Sequence, residues 1–183
     1  MTSASSLRRF ALFLLLLAVL GAGLSRGLAY YREHRYDGLI RAAALQYGVE
    51  PALVSAVIWR ESNYRADRVG RAGEIGLMQV REPAAREWAR AAGAPEFSAA
   101  HLYDPGTNIL AGTWYLARAL RRWAERDDPA TFALAEYNAG LTHARHWAAL
   151  PGSETAAGFS AAISFPSTRA YIGDILTRYR TMR

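Results

Sequence analysis

The chain has 183 residues, 51% of them apolar and 21% charged, which allows one compact domain with a real core and excludes wholesale disorder. Its 22 basic residues, all arginine, outnumber 16 acidic ones and leave a net charge of +6; the balance suits an anionic partner, but the arginines are spread along the chain, which argues against nucleic acid. The absence of cysteine excludes a disulfide framework, a thiolate metal site, a cysteine nucleophile and a lipid-bearing cysteine anchor.

Arg8 and Arg9 precede Phe10 to Leu24, fifteen residues that are apolar or glycine without exception, and Arg26 closes the run. A basic start followed by such a stretch reads as an export signal. The alternative is a buried helix of a soluble core; no amphipathic face can be drawn on the run, and an all-round apolar helix is either buried or in membrane. Gly21-Ala22-Gly23 offers small residues for cleavage. A membrane span prefers about 20 apolar residues, yet flanking arginines that snorkel would let the run stay as an anchor. Residues 1–25 are therefore read as a signal peptide or signal anchor and residues 26–35 as a spacer or juxtamembrane helix. Residues 36–183 are read as the working domain, on the outer side of the cytoplasmic membrane.

From there the pattern is helical. Leu39, Ile40, Ala43, Ala44 and Tyr47 recur at helical spacing, and Gly48 stops them. Pro51 opens a helix to Ser62 from its first turn. Residues 63–80 carry glycines and no helical period, and are expected to form a loop with a small hairpin. Further helices are predicted from Pro83 to Ala92, from Pro105 to Trp123, from Pro129 to about Gly140 and from His143 to Leu150. An irregular stretch follows, and Ser167 is expected to cap a last helix with Tyr171, Ile172, Ile175 and Tyr179 on one face. The fold class is mostly α with one glycine-rich excursion.

Glu61 shares its helix face with Val54, Val57 and Ile58, at i−7, i−4 and i−3. Desolvation and the negative end of the helix dipole both disfavour its anion, which is what a general acid near neutral pH requires. The competing reading is a glutamate that turns to solvent or pairs with Arg60 or Arg65. Gly76-Leu77-Met78-Gln79 ends in an amide suited to a sugar hydroxyl or acetamido group, Tyr137-Asn138-Ala139-Gly140 places a ring and an amide at a helix end, and Pro166 to Tyr171 opens the last helix. Taken singly, these three read as core filler, a C-cap and an N-cap. His143 and His146, at i, i+3, lack an acidic third ligand and are read as surface residues. No phosphate loop, G-x-S-x-G elbow or Schiff-base lysine is present.

In order, VSAVIWRESNYRAD (54–67), AGEIGLMQV (72–80), LYDPGTNILAGTWYLARAL (102–120), LAEYNAGLTHARHW (134–147) and FPSTRAYIGDIL (165–176) resemble the soluble-lytic-transglycosylase domain of the lysozyme-like superfamily. The likeness runs from Tyr36 to Tyr179, and E-S, then G-L-M-Q, then Y-N-A-G is a specific combination. The resemblance implies a lysozyme-like helical domain with a groove for peptidoglycan glycan strands. It implies Glu61 as the catalytic acid and then base, with Ser62, Met78, Gln79, Tyr137, Asn138 and Tyr171 on the substrate side, and no cofactor or metal. The implied reaction cleaves the β-1,4 bond between N-acetylmuramic acid and N-acetylglucosamine and leaves a 1,6-anhydro end. A goose-type lysozyme-like hydrolase, with Glu74 or Glu136 placing the water, is the alternative enzyme; a non-catalytic glycan-binding or assembly module is the alternative of another class. Two departures stand out: Gly70 occupies the place of a serine common in the family, and Glu74 follows the loop glycine where a small residue is usual. Glu74 is expected to face solvent.

Overall fold

The computed structural model describes residues 4–182, so the readings for 1–25 and 36–183 extend past it at residues 1–3 and at 183. The chain divides into two units, residues 1–36 and 37–183.

The first unit is one helix, α1 (Ala4–His34). It continues through the expected spacer as far as His34, where Arg35 and Tyr36 form a turn, so the juxtamembrane-helix form of that expectation holds for 26–34. Every residue from Arg8 to Tyr31 is exposed, Phe10, Leu12 and Leu24 at 60–67%. The helix is long and apolar enough to cross a membrane.

The second unit is helical, with α2 (Asp37–Tyr47), α3 (Pro51–Ser62), α4 (Glu82–Ala91), a 3₁₀ turn (Ala99–Tyr103), α5 (Pro105–Arg122), α6 (Pro129–Ala139), α7 (Leu141–Ala148), α8 (Ala156–Ala162) and α9 (Pro166–Thr181). Proline stands at the first or second position of α3, α4, α5, α6 and α9, where its missing N–H costs no helical bond. Among the described residues the extended structure is limited to the isolated bridges Val69–Ile75 and Ile75–Val80, the small hairpin of the loop after α3.

Helix α3 lies at the centre. Leu53, Val54, Ala56, Val57 and Ile58 are buried on nearly its whole circumference, against α2 and α9. Helix α5 packs on α2, α4 and α6, and α6 in turn on α7, α8 and α9. Phe132 stacks on Phe159 at 4.1 Å and on Trp123 at 5.4 Å, which seals α6 against α8. Each large side chain buried in this way contributes about 1.5–3 kcal/mol.

Three expectations are corrected. The segment after Leu150 holds α8, whose cap Thr155 accepts from the Gly158 amide at 3.2 Å. The 3₁₀ turn was not foreseen; Ser98 and His101 box it, the His101 imidazole accepting from the Ser98 amide at 3.2 Å. Ser167 does not cap α9, which starts one residue earlier at Pro166 behind Phe165. The Ser167 side of that first turn faces a cleft instead.

Candidate active site

Helix α3 ends abruptly. Asn63 and Tyr64 both adopt left-handed backbone (φ 52° and 58°), and the Asn63 amide returns to the Trp59 carbonyl at 2.9 Å. A left-handed tyrosine is costly. It is held because its ring is buried and its hydroxyl lies 2.7 Å from Ser55 Oγ, back along α3. This sharp stop leaves Glu61 in the last helical turn, at the edge of the core.

The loop that follows is fastened from behind. Ser62 Oγ, fully buried, donates to the Leu77 carbonyl at 2.8 Å. Asn108 of α5, also buried, donates to the carbonyls of Ile75 (2.8 Å) and Leu102 (2.9 Å) and accepts from the Met78 amide at 2.8 Å. Gly76 sits against that amide with φ 79°, and any side chain there would collide with Asn108. Gln79, left-handed at φ 48°, donates to the carbonyls of Arg68 (3.0 Å) and Gly76 (2.9 Å) and closes the hairpin.

The loop forms one wall of a cleft of about 560 Å³, and α6 and the start of α9 form the other. Of the residues expected from sequence, Glu61, Gln79, Tyr137, Asn138 and Tyr171 line this cleft together. Ser62 and Met78 do not; they stand behind the wall. Met78 is fully buried, its sulfur against Gly112 and 3.7 Å from Thr113 Oγ1. Its carbonyl instead accepts from the Tyr137 hydroxyl at 2.9 Å, which ties the two walls. Both residues thus shape the groove without reaching into it.

The Tyr171 hydroxyl donates to Glu61 Oε1 at 2.7 Å. Burial pushes the Glu61 carboxyl up from 4.5 to about 7. The Tyr171 hydrogen bond and the charges of Arg60 and Arg68 pull the other way, and Glu74 adds to the rise. Arg60 does not neutralise Glu61 by pairing: its Nε donates to Asp174 at 3.0 Å and its guanidinium lies over the Tyr171 ring at 5.5 Å. Burial and the proximity of Glu61 raise Tyr171 and Tyr137 well above the ordinary tyrosine value, so both stay neutral hydrogen-bond donors. On α9, Thr168 donates to Asn138 Oδ1 at 2.8 Å, which fixes the orientation of that exposed amide.

The two further carboxylates differ. Glu136 borders the cleft but is spoken for: Arg122 donates to it at 3.1 Å and Trp123 Nε1 at 2.8 Å. Glu74 is half-buried and lines the cleft, contrary to the solvent-facing position expected from sequence. Asn108 was missed. Its signal was present: an amide at 108 on the same α5 stripe as Gly112, Leu116 and Ala119, all buried.

The family model described as "Transglycosylase SLT domain" matches residues 38–159. Two curated proteins called "Membrane-bound lytic murein transglycosylase C", from Klebsiella pneumoniae and Sodalis glossinidius, are each 40% identical over 88 residues, 47% of this chain and 24% and 25% of theirs. Among solved structures, the 70 kDa soluble lytic transglycosylase of Escherichia coli superposes with a TM-score of 0.72 at 27% identity, over 80% of this chain and 24% of that one. An inactive mutant of the lytic transglycosylase Slt of Pseudomonas aeruginosa gives 0.71 at 27%, over 80% and 23%. The chain thus spans about a quarter of the length of these relatives.

Proposed function

The chain belongs to the transglycosylase SLT domain family, and from that premise we propose that it is a peptidoglycan lytic transglycosylase with Glu61 as its single acid and base. The observation that carries this reading is a carboxyl group hydrogen-bonded to Tyr171 on a cleft of about 560 Å³, where burial pushes its pKa up to about 7. A glutamate raised this far above its ordinary value keeps its proton close to neutral pH and can still release it there, which suits a group that must both give and take a proton.

Protonated Glu61 donates to the glycosidic oxygen between N-acetylmuramic acid and N-acetylglucosamine as the bond from that oxygen to C1 of the muramic residue breaks. The acetamido oxygen of the same sugar stabilises the cationic C1. Glu61, now a carboxylate, takes the proton from the C6 hydroxyl as its oxygen bonds to C1. The ring closes, the acid is restored and no water is consumed. A well-placed intramolecular hydroxyl has an effective concentration of about 10⁵–10⁸ M, far above that of water. Tyr171 and Tyr137, neutral and held at the cleft, position the carboxyl and the sugar, and Arg68, Arg71 and Arg81 on the loop wall face the carboxylates of the stem peptides.

Helix α1 supports a place for the domain on the outer side of the cytoplasmic membrane, with residues 10–24 in the bilayer. Carbonate washing and N-terminal sequencing test this: a membrane-retained chain that keeps Phe10 is anchored, whereas a shortened soluble form has lost its signal. The reaction is tested by mass spectrometry of the muropeptides released from purified peptidoglycan. Anhydro ends, lighter by one water, are expected; hydrated reducing ends would replace this reading with the hydrolase, for which Glu74 in the cleft is the favouring observation.

A further inference from the structure

Gly70 has ordinary backbone conformation, so nothing in its own dihedrals requires glycine. What excludes a side chain is its neighbour. A Cβ at position 70 would collide with Glu74 Oε2, lie 3.1 Å from Glu74 Cβ and lie 3.0 Å from Gln79 Oε1. The turn explains how Glu74 arrives there: the Gly70 amide donates to the Glu74 carbonyl at 2.7 Å, and the Glu74 side chain folds back so that Oε2 accepts from the Ala72 amide at 3.1 Å. Glu74, Gln79 and Gly70 all line the cleft with Glu61.

Two acceptor oxygens from different residues therefore converge over the bare face of Gly70. The Gln79 amide nitrogen is already committed to the carbonyls of Arg68 and Gly76, which leaves the oxygen to point at this spot. A carboxylate has about four acceptor sites, and the Ala72 amide takes one. Such a place selects donors. We propose that the Glu74 carboxylate, folded across Gly70, is a specificity-determining group of the cleft that accepts N–H and O–H donors of the N-acetylated sugar bound beside Glu61. It supplies from position 74 the polar group that a side chain at 70 would otherwise bring. The proposal rests on the glycan reading above for its ligand and on the Gly70–Glu74 contact for its geometry.

A residue that merely caps the turn and one that serves the cleft are separable, because Glu74→Gln keeps an oxygen for the Ala72 amide. The test uses the full-length chain in detergent micelles, with Glu74→Gln, Glu74→Ala, Gly70→Ser and the Gly70→Ser/Glu74→Ala double variant. Three quantities are read: the thermal midpoint, the affinity for the N-acetylglucosamine tetrasaccharide, and the titration midpoint of Glu61 by carboxyl ¹³C NMR. The charged and titratable groups facing Glu61, besides Glu74, are Arg60 from α3, Arg68 from the loop, Tyr137 from α6 and Tyr171 from α9. Arg71, Arg81, Tyr115 and Glu136 also line the cleft, and all of these are unchanged in the variants.

Glu74→Gln is expected to melt like the parent, to bind the tetrasaccharide about tenfold more weakly, as loss of a hydrogen bond to a charged group implies, and to lower the Glu61 midpoint. Gly70→Ser is expected to weaken binding in the parent by displacing the carboxylate, and to add no further loss to Glu74→Ala. Losses that add, or a Glu74→Gln variant with parental affinity and Glu61 midpoint, would overturn the proposal and leave Glu74 as a turn cap. A parent chain that binds in this pattern yet cleaves no peptidoglycan would sink the reaction assigned above while leaving this subsite in place.

Discussion

The two walls of the cleft are built in opposite ways. On the helical wall, the side chains are paired before any ligand arrives: Tyr137 to the Met78 carbonyl, Asn138 to Thr168, Tyr171 to Glu61, Glu136 to Arg122 and Trp123. On the loop wall, the interior is pinned by Asn108, Ser62 and Gln79, while Arg68, Arg71, Glu74 and Arg81 present charge to the opening. The helical wall holds neutral donors at fixed places around Glu61. The loop wall supplies charge, and with it the selectivity proposed for Glu74. Chemistry needs the first kind of order, because a misplaced proton donor forfeits much of its effect.

The comparison is most severely tested at Glu61. Glu61→Gln keeps the shape and removes the proton, so turnover on peptidoglycan should fall about 10²- to 10⁴-fold or more, with glycan binding kept. Near-parental turnover would move the acid to the loop wall. Next is the pinning of that wall. Asn108→Ala strands the Met78 amide and the Leu102 carbonyl, at about 1–3 kcal/mol for each buried group left unpaired, while the Ile75 carbonyl keeps its bond from the Val80 amide; a denaturant melt should show a loss of several kcal/mol, and a loss below about 1 kcal/mol would mean that the loop stands without its pin.

The two walls should also shift Glu61 in opposite directions. Tyr171→Phe removes a bond that favours the anion, so the alkaline limb of the pH–rate profile should move above about 7. Glu74→Gln removes a like charge and should move it down. Turnover at the optimum should fall about tenfold for Tyr171→Phe. A shared direction would show that one of the walls does not act on Glu61 as described.

The last effect is on stability. The folded Glu61 holds its proton up to about pH 7 and the unfolded one only to about 4.5. Stability from this group is full below about 4.5 and is lost as pH rises through about 7. The advantage of Glu61→Gln in thermal midpoint should therefore grow between these values and level off above them. A gap that is flat with pH would place Glu61 in solvent.

Much of this was legible in the sequence because local rules agree with the tertiary fold. Pro51, Pro105 and Pro129 announce helix starts that the structure keeps, and Gly48 marks a true stop. Glu61 stands out by its apolar spacing, which needs no knowledge of neighbours, but that spacing alone does not distinguish an acid from a structural carboxylate; the motif combination is what implies the role. What escaped depends on distant partners. Helix α8 begins where the Ala156 amide meets the Asp127 carboxylate at 2.9 Å, and seven residues are too few to show a period. Ser62 and Met78 were read as groove residues because motif spacing does not reveal which side of a loop turns inward. Glu74 was expected in solvent because its path into the cleft exists only over a bare Gly70.

The left-handed residues at the two ends of the loop have an evolutionary consequence. Asn63 and Tyr64 fix where the chain leaves α3, and Gln79 fixes where it rejoins the body before α4. Between these clamps the path is held from behind by Ser62 and Asn108, and Gly70 and Gly76 have no room for a side chain, but the exposed Arg65, Arg71 and Ala72 can change identity without displacing Glu61. The segment is thus a cassette whose exposed positions can be exchanged by substitution alone, while the left-handed backbone of the clamps restricts which residues can stand there.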